Sequence, residues 1–367
     1  MERSKPPYRA DHVGSLLRPA SLKQARAKRQ KAEITVEALK AVEDREIEQV
    51  IHKQQQVGLR SITDGEFRRS WWHLDFLSGF DGAELVDVPK GVQFAGVQTR
   101  AQAVRVFGKL GFTSHPMVEH FKFVQAQTEQ TPKMTIPSPS AMYARMGREM
   151  VSSTAYPKLD QFFEDLGKAY RKAVQAFAQA GCRYLQLDEV YIAMWCDPKH
   201  RKALADRGDD ADRLLLTYAD LINTAIADIP ADMTITMHLC RGNFRSTFMG
   251  EGGYEPVADL LFNRINVHGY FLEYDTERAG GFEPLRFVPR GSKQVVLGLV
   301  TSKSGALEKK DDIKRRVEQA SKYVDINQLC LSPQCGFAST EEGNVLAEDE
   351  QWAKLRMITE LSKEVWG

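Results

Sequence analysis

Met233-Thr234-Ile235-Thr236-Met237-His238-Leu239-Cys240-Arg241 is a short β-rich run that turns reactive at its end. Before it lies an amphipathic stretch, 209–227, whose apolar residues recur at helical spacing. The same alternation runs along the chain. It predicts strands near 10–16, 59–64, 133–136, 183–187, 233–239, 265–274, 294–300 and 328–331. Helices are predicted over 36–57, 159–180, 209–227 and 312–323. Eight strands with intervening helices indicate a (β/α)8 TIM barrel, although a doubly wound open sheet shares the alternation.

Length is compatible with one barrel. At about 150 residues per domain, 367 residues would make two or three, yet a single α/β barrel can fill roughly 200 to 400. No linker of Ser, Gly or Pro divides the chain and no internal repeat is visible, so one domain over 1–367 is expected. The stretch at about 80–124 breaks the rhythm. It is rich in Val and Gly, includes Val104-Arg105-Val106-Phe107, and reads as an inserted hairpin serving as a lid or binding loop.

Composition removes several classes. Fifty Lys+Arg against 49 Asp+Glu leaves +1, so no overall field attracts nucleic acid or an anionic membrane. Apolar runs such as Val295 to Val300 are too short to span a bilayer, and the polar N-terminus lacks a signal-peptide pattern. Five cysteines with no C-x-x-C pair argue against a disulfide scaffold and suggest a cytoplasmic protein whose thiols are ligands, nucleophiles or buried.

Chemically suggestive side chains fall at the carboxyl ends of the predicted strands. Ser15 follows the first, Asp64 and Glu66 the second, Ser138 and Ser140 the third, Asp188 and Glu189 the fourth. His238 and Cys240 follow the fifth, Glu273 the sixth, Thr301 the seventh and Cys335 the eighth. In a barrel those ends converge on the face that carries the active site.

On a strand, His238 and Cys240 point to one side with Cα atoms roughly 7 Å apart, within reach of a single ion. Alone the pair reads more readily as packed core. A second thiol, Cys335, also beyond a strand end, strengthens the metal reading, and Glu273 after its apolar run is the fourth candidate ligand. His268 is out of phase with Glu273, while Cys182, Cys196 and Cys330 read as inert thiols. Trp71-Trp72-His73 reads as a stacking surface or a packed loop, and of the adjacent pair Asp188-Glu189 only one can face inward. Two thiolates and a carboxylate would place about −3 of ligand charge around Zn2+. Such a centre is a poor generator of hydroxide and suits activation of a substrate thiol for alkyl transfer.

His238-Leu239-Cys240, Glu273 and Cys335, with Val13-Gly14-Ser15 and Leu187-Asp188-Glu189, resemble the zinc-bearing barrel of cobalamin-independent methionine synthase, most closely its short single-barrel bacterial relatives. The resemblance implies a TIM barrel with zinc on His238, Cys240, Glu273 and Cys335. It further implies Ser15 on the substrate carboxylate and Glu66 and Asp188 on the homocysteine ammonium. The reaction implied is methyl transfer from a 5-methyltetrahydrofolate-type donor to homocysteine, giving methionine. Two departures stand out: 367 residues leave no room for the full-length enzyme's N-terminal barrel, and the family's Asp-Ile-His after the seventh strand is absent. Val300-Thr301-Ser302-Lys303 stands there, so Lys303 or Thr301 replaces the proton-delivering His, or an activated donor replaces the folate. The alternatives are a corrinoid donor, on a partner protein if not free, and alkyl transfer to another thiol as in epoxyalkane:coenzyme M transferases.

Overall fold

Six strands run parallel in chain order: Met134–Pro137, Tyr184–Glu189, Thr234–Leu239, Gly269–Glu273, Gln294–Val300 and Leu329–Pro333. The computed structural model describes residues 3–94, 96–145 and 147–367. Ser61–Ile62 pairs in parallel with Thr131–Pro132, which leads directly into Met134–Pro137 and so joins the second strand to the third. At the other edge Ala10 bridges Leu331, with Asp11 N–H on the Leu331 carbonyl at 3.0 Å and Leu331 N–H on Arg9 at 2.8 Å. The ring closes as a TIM barrel.

The first strand departs from the sequence expectation. Only Ala10 within the predicted stretch 10–16 joins a β-bridge, because side chains take over the pairing that follows. Ser61 Oγ donates to Asp11 Oδ1 at 2.7 Å, His12 Nε2 sits 3.0 Å from the Ser61 carbonyl, and Thr63 Oγ1 donates to the Gly14 carbonyl at 2.7 Å. Backbone polar groups at this seam are satisfied without a ladder. Lys133, fully buried, donates to Asp11 Oδ1 at 3.3 Å and completes the polar seam.

The outer helices follow their sequence periods. Leu159–Gln179 buries Phe162, Leu166, Tyr170, Val174 and Phe177 at spacings of three and four, each worth about 1.5–3 kcal/mol on transfer from water. Ala211–Ala225 starts where the Asp210 side chain accepts from the Asp212 and Arg213 amides, an N-cap that ends the preceding turn. Among the described residues no helix is long and apolar enough to cross a membrane.

Asp81–Asp87 pairs antiparallel with Gln102–Gly111, and a smaller hairpin of Gln93–Phe94 with Val97–Gln98 forms the tip. The hairpin therefore ends earlier than the predicted boundary near 124. Pro116–Gln127 is a helix, capped by His115 Nδ1 accepting from the Met117 amide, and it leads into the third strand as a regular barrel helix.

Candidate active site

Parallel register sets the site. Asp188 on the fourth strand lies opposite His238 on the fifth, and His238 lies opposite Phe271 on the sixth, two residues before Glu273. Cys240, two beyond His238, continues the ladder by donating its amide to the Glu189 carbonyl at 2.8 Å. Cys335 comes just after Leu329–Pro333, where the Gln334 amide reaches the Val300 carbonyl at 2.8 Å. These ends converge: one ligand atom each from His238, Cys240, Glu273 and Cys335 lie within 4.8 Å of one another, and all four residues are buried. The two sulfurs are 3.6 Å apart.

The donor set fits a zinc ion on its own chemistry. Neither ring nitrogen of His238 has a partner in hydrogen-bond geometry among the described residues, although both are buried. Two sulfurs, an imidazole and a carboxylate are the ligand types zinc takes in fours. Cys335 is held well below the usual thiol range by the hydrogen bond from Cys240, against burial, with His238 and Lys303 assisting. Cys240 is pushed up by the same hydrogen bond and by burial. Burial opposes protonation of His238, but Cys335, Asp188 and Glu273 outweigh it and raise its pKa. The Glu273 carboxylate is raised by burial, and its oxygens are oriented by the Arg241 amide at 2.8 Å and by Arg278 at 3.2 Å. A carboxylate oriented in this way keeps lone pairs for a metal ion.

A cleft of about 740 Å³, counting its open mouth, reaches the sulfurs and is lined by Ser15, Glu66, Asp188, His238, Cys240 and Cys335. Trp71, Trp72 and His73 also line it, so this stretch is both packed and part of the wall. Phe94, from the hairpin tip, joins them and meets Phe244 at 5.5 Å between ring centroids. Of the adjacent acids, Asp188 faces the cleft. Glu189 is buried behind it, accepting from Ser140 Oγ and from the Tyr191 and Ile192 amides. Ser140 is thereby engaged in structure.

Asp188 accepts from Gln186 Nε2 at 2.7 Å and forms no ion pair with another described residue; burial lifts its pKa to about 6, against the fields of His238 and Arg69. Glu66 differs. Its carboxylate is shared between Thr135 Oγ1 at 2.8 Å and an ion pair with Arg69, a residue that sequence reasoning did not single out. Only the close spacing in Glu66-Phe67-Arg68-Arg69 hinted at that pair. Thr301 and Lys303 are not part of the cleft wall. Thr301 Oγ1 donates to Asp275 at 3.1 Å, and the buried Lys303 Nζ has no hydrogen-bond partner among the described residues. Cys182, Cys196 and Cys330 are buried and outside the donor cluster, and His268 Nδ1 accepts from the Ile235 amide.

Gly14 governs how close the first strand comes to Glu66. A Cβ there would lie 2.6 Å from Glu66 Oε1 and 2.7 Å from Thr135 Cγ2, at a φ of +141°. Gly14→Ala is expected to cost about 1–3 kcal/mol through backbone strain, and to displace Glu66. Thermal unfolding checks this; an unchanged Tm would show that the neighbours yield freely.

Fold and donor set together define an α/β barrel with a sulfur-rich cluster that could hold a metal ion, opening onto a cleft. The family model described as "Cobalamin-independent synthase, Catalytic domain" matches residues 10–356. The uncharacterized protein YxjG of Bacillus subtilis is 51% identical over 368 residues, covering 100% of this chain and 97% of its own. A solved Listeria monocytogenes structure, provisionally described as a vitamin-B12-independent methionine synthase, superposes with a TM-score of 0.81 at 43% identity, covering 100% of both chains. The 5-methyltetrahydropteroyltriglutamate–homocysteine methyltransferase of Bacillus velezensis is 23% identical over 91% of this chain, which spans 40% of that protein. The chain belongs to the cobalamin-independent methionine synthase family, a family of methyltransferases.

Proposed function

We propose that this protein transfers a methyl group from a 5-methyltetrahydrofolate-type donor to homocysteine, forming methionine. The observation that carries the reading is the meeting of Cys240, Cys335, His238 and Glu273 within 4.8 Å, beside a cleft bearing Ser15, Glu66 and Asp188. Zinc held by those four residues would lower the pKa of an entering thiol and keep its sulfur nucleophilic at neutral pH. Asp188, which forms no ion pair with another described residue, is the group to receive the acceptor's ammonium, and Ser15 is the hydroxyl to hold its carboxylate. Glu66, already tied to Arg69, contributes a weaker field and holds the wall in place. Lys303 is assigned to balancing the excess negative charge of the donor set, since its charge lowers the pKa of Cys240, Cys335 and Glu273.

A cleft carboxylate with no ion pair among the described residues favours an ammonium-bearing acceptor over a sulfonate. Zinc-loaded protein is therefore expected to form methionine from homocysteine and to leave coenzyme M unmethylated. Each acceptor should be assayed with methyl-folate, methylcobalamin and a sulfonium donor. Turnover with coenzyme M alone would overturn the reading. The relative kcat/KM of the three donors reports whether the missing family His slows the folate reaction.

A further inference from the structure

The cleft wall holds buried polar atoms that neither the donor set nor the acceptor residues use. Trp71, His73 and Asn243 are 4%, 6% and 5% exposed and all three line the cleft. The Trp71 indole N–H, both ring nitrogens of His73 and the Asn243 Oδ1 have no hydrogen-bond partner among the described residues. Asn243 is oriented by its other end, which donates to the Gly336 carbonyl at 2.7 Å. Unmatched buried polar atoms are destabilising and rare, so four of them along one cleft call for a ligand that matches them.

The surroundings narrow the class of that ligand. Burial, then Arg145 and Arg69, hold the His73 pKa down to about 3, so the ring is neutral and offers one N–H and one lone pair. With the indole N–H and the amide oxygen, the wall presents both donors and acceptors. Trp72, whose ring centroid is 4.4 Å from that of His73, and Phe94 and Phe244 add flat apolar surface. Arg145 lines the same cleft, donates to the Gln102 carbonyl at 2.6 Å, and has no carboxylate partner among the described residues.

We propose that Trp71, His73 and Asn243 recognise the ring of the methyl donor, a flat nitrogen heterocycle with adjacent hydrogen-bond donors and acceptors, and that Arg145 receives a carboxylate carried on its tail. The assignment rests on the function proposed above and adds the residues that read the donor. Aromatic walls select flatness, while the polar atoms select the pattern of the heterocycle's edge.

The test uses zinc-loaded full-length protein with tetrahydrofolate as the probe, binding being read by calorimetry and by quenching of tryptophan fluorescence. His73→Phe keeps a ring and deletes both nitrogens. It should weaken tetrahydrofolate binding roughly 10-fold, the worth of one hydrogen bond between neutral groups, and raise the donor KM more than it lowers kcat. His73→Gln, which restores a donor and an acceptor, should recover much of the loss. Arg145→Met should weaken tetrahydrofolate while leaving 6-methyltetrahydropterin, which lacks the tail, unaffected. Wild-type affinity in both His73→Phe and Arg145→Met, or no tetrahydrofolate binding by the wild type, would overturn the inference. Homocysteine binding to the same preparation, and methionine formation from any donor, test the proposed function separately.

Discussion

Cys335→Ser protein, loaded with zinc and then dialysed, is expected to retain little metal and to show no methyl transfer, and Cys240→Ser should behave alike. The two sulfurs stand 3.6 Å apart and share the centre with His238 and Glu273, so each variant removes one of two thiolates from a four-donor set. A serine hydroxyl is a far weaker zinc ligand because it stays protonated at neutral pH. Losing a hydrogen-bond partner of a ligand typically costs about 10- to 100-fold in metal affinity, so losing the ligand itself should cost more. Metal analysis after dialysis decides the matter. Cys182→Ser, Cys196→Ser and Cys330→Ser should keep about one zinc per chain, since none of these thiols lies in the cluster. Full zinc in both Cys240→Ser and Cys335→Ser would remove the ligand assignment.

Asp188→Asn should bind homocysteine about 10- to 150-fold more weakly while holding zinc normally, because a charge-assisted hydrogen bond is worth roughly 1.5–3 kcal/mol. Asparagine keeps the shape and can still meet Gln186, which donates to Asp188 at 2.7 Å. What it loses is the charge for the acceptor's ammonium. Glu66→Gln should have the smaller effect on affinity, because the Arg69 pair already neutralises much of that carboxylate, and it should lower stability by leaving Arg69 without its partner. Calorimetric titration of both variants with homocysteine separates the two carboxylates. Equal, unchanged affinities would exclude an ammonium pocket here and shift weight to a sulfonate-bearing acceptor.

The gathering of His238, Cys240, Glu273 and Cys335 was legible because strand geometry is local. A period of two puts His238 and Cys240 on one side whatever surrounds them, and apolar runs ending in Glu273 and near Cys335 mark strand ends that a barrel must gather. The long helices were equally legible, since 159–180 carries its apolar face in its own spacing. The first strand was not. Its residues look like a strand, yet Asp11, Ser61 and Thr63 replace the ladder with side-chain bonds between segments about 50 positions apart, which no local pattern records.

By itself, then, the sequence determined the alternation of strand and helix, the donor types and the face on which they emerge, all consequences of short-range periodicity. Tertiary structure alone decided that Asp188 faces the cleft and Glu189 turns back to cap Tyr191–Met194. It decided that Glu66 spends its charge on Arg69, that Lys303 stands apart from the cleft wall, and that Trp71, His73 and Asn243 keep polar atoms unmatched along it. Each of these outcomes depends on which groups from distant segments reach a buried atom first. Burial and pairing are properties of the assembled barrel, and a buried charge or amide is defined by its neighbours in space.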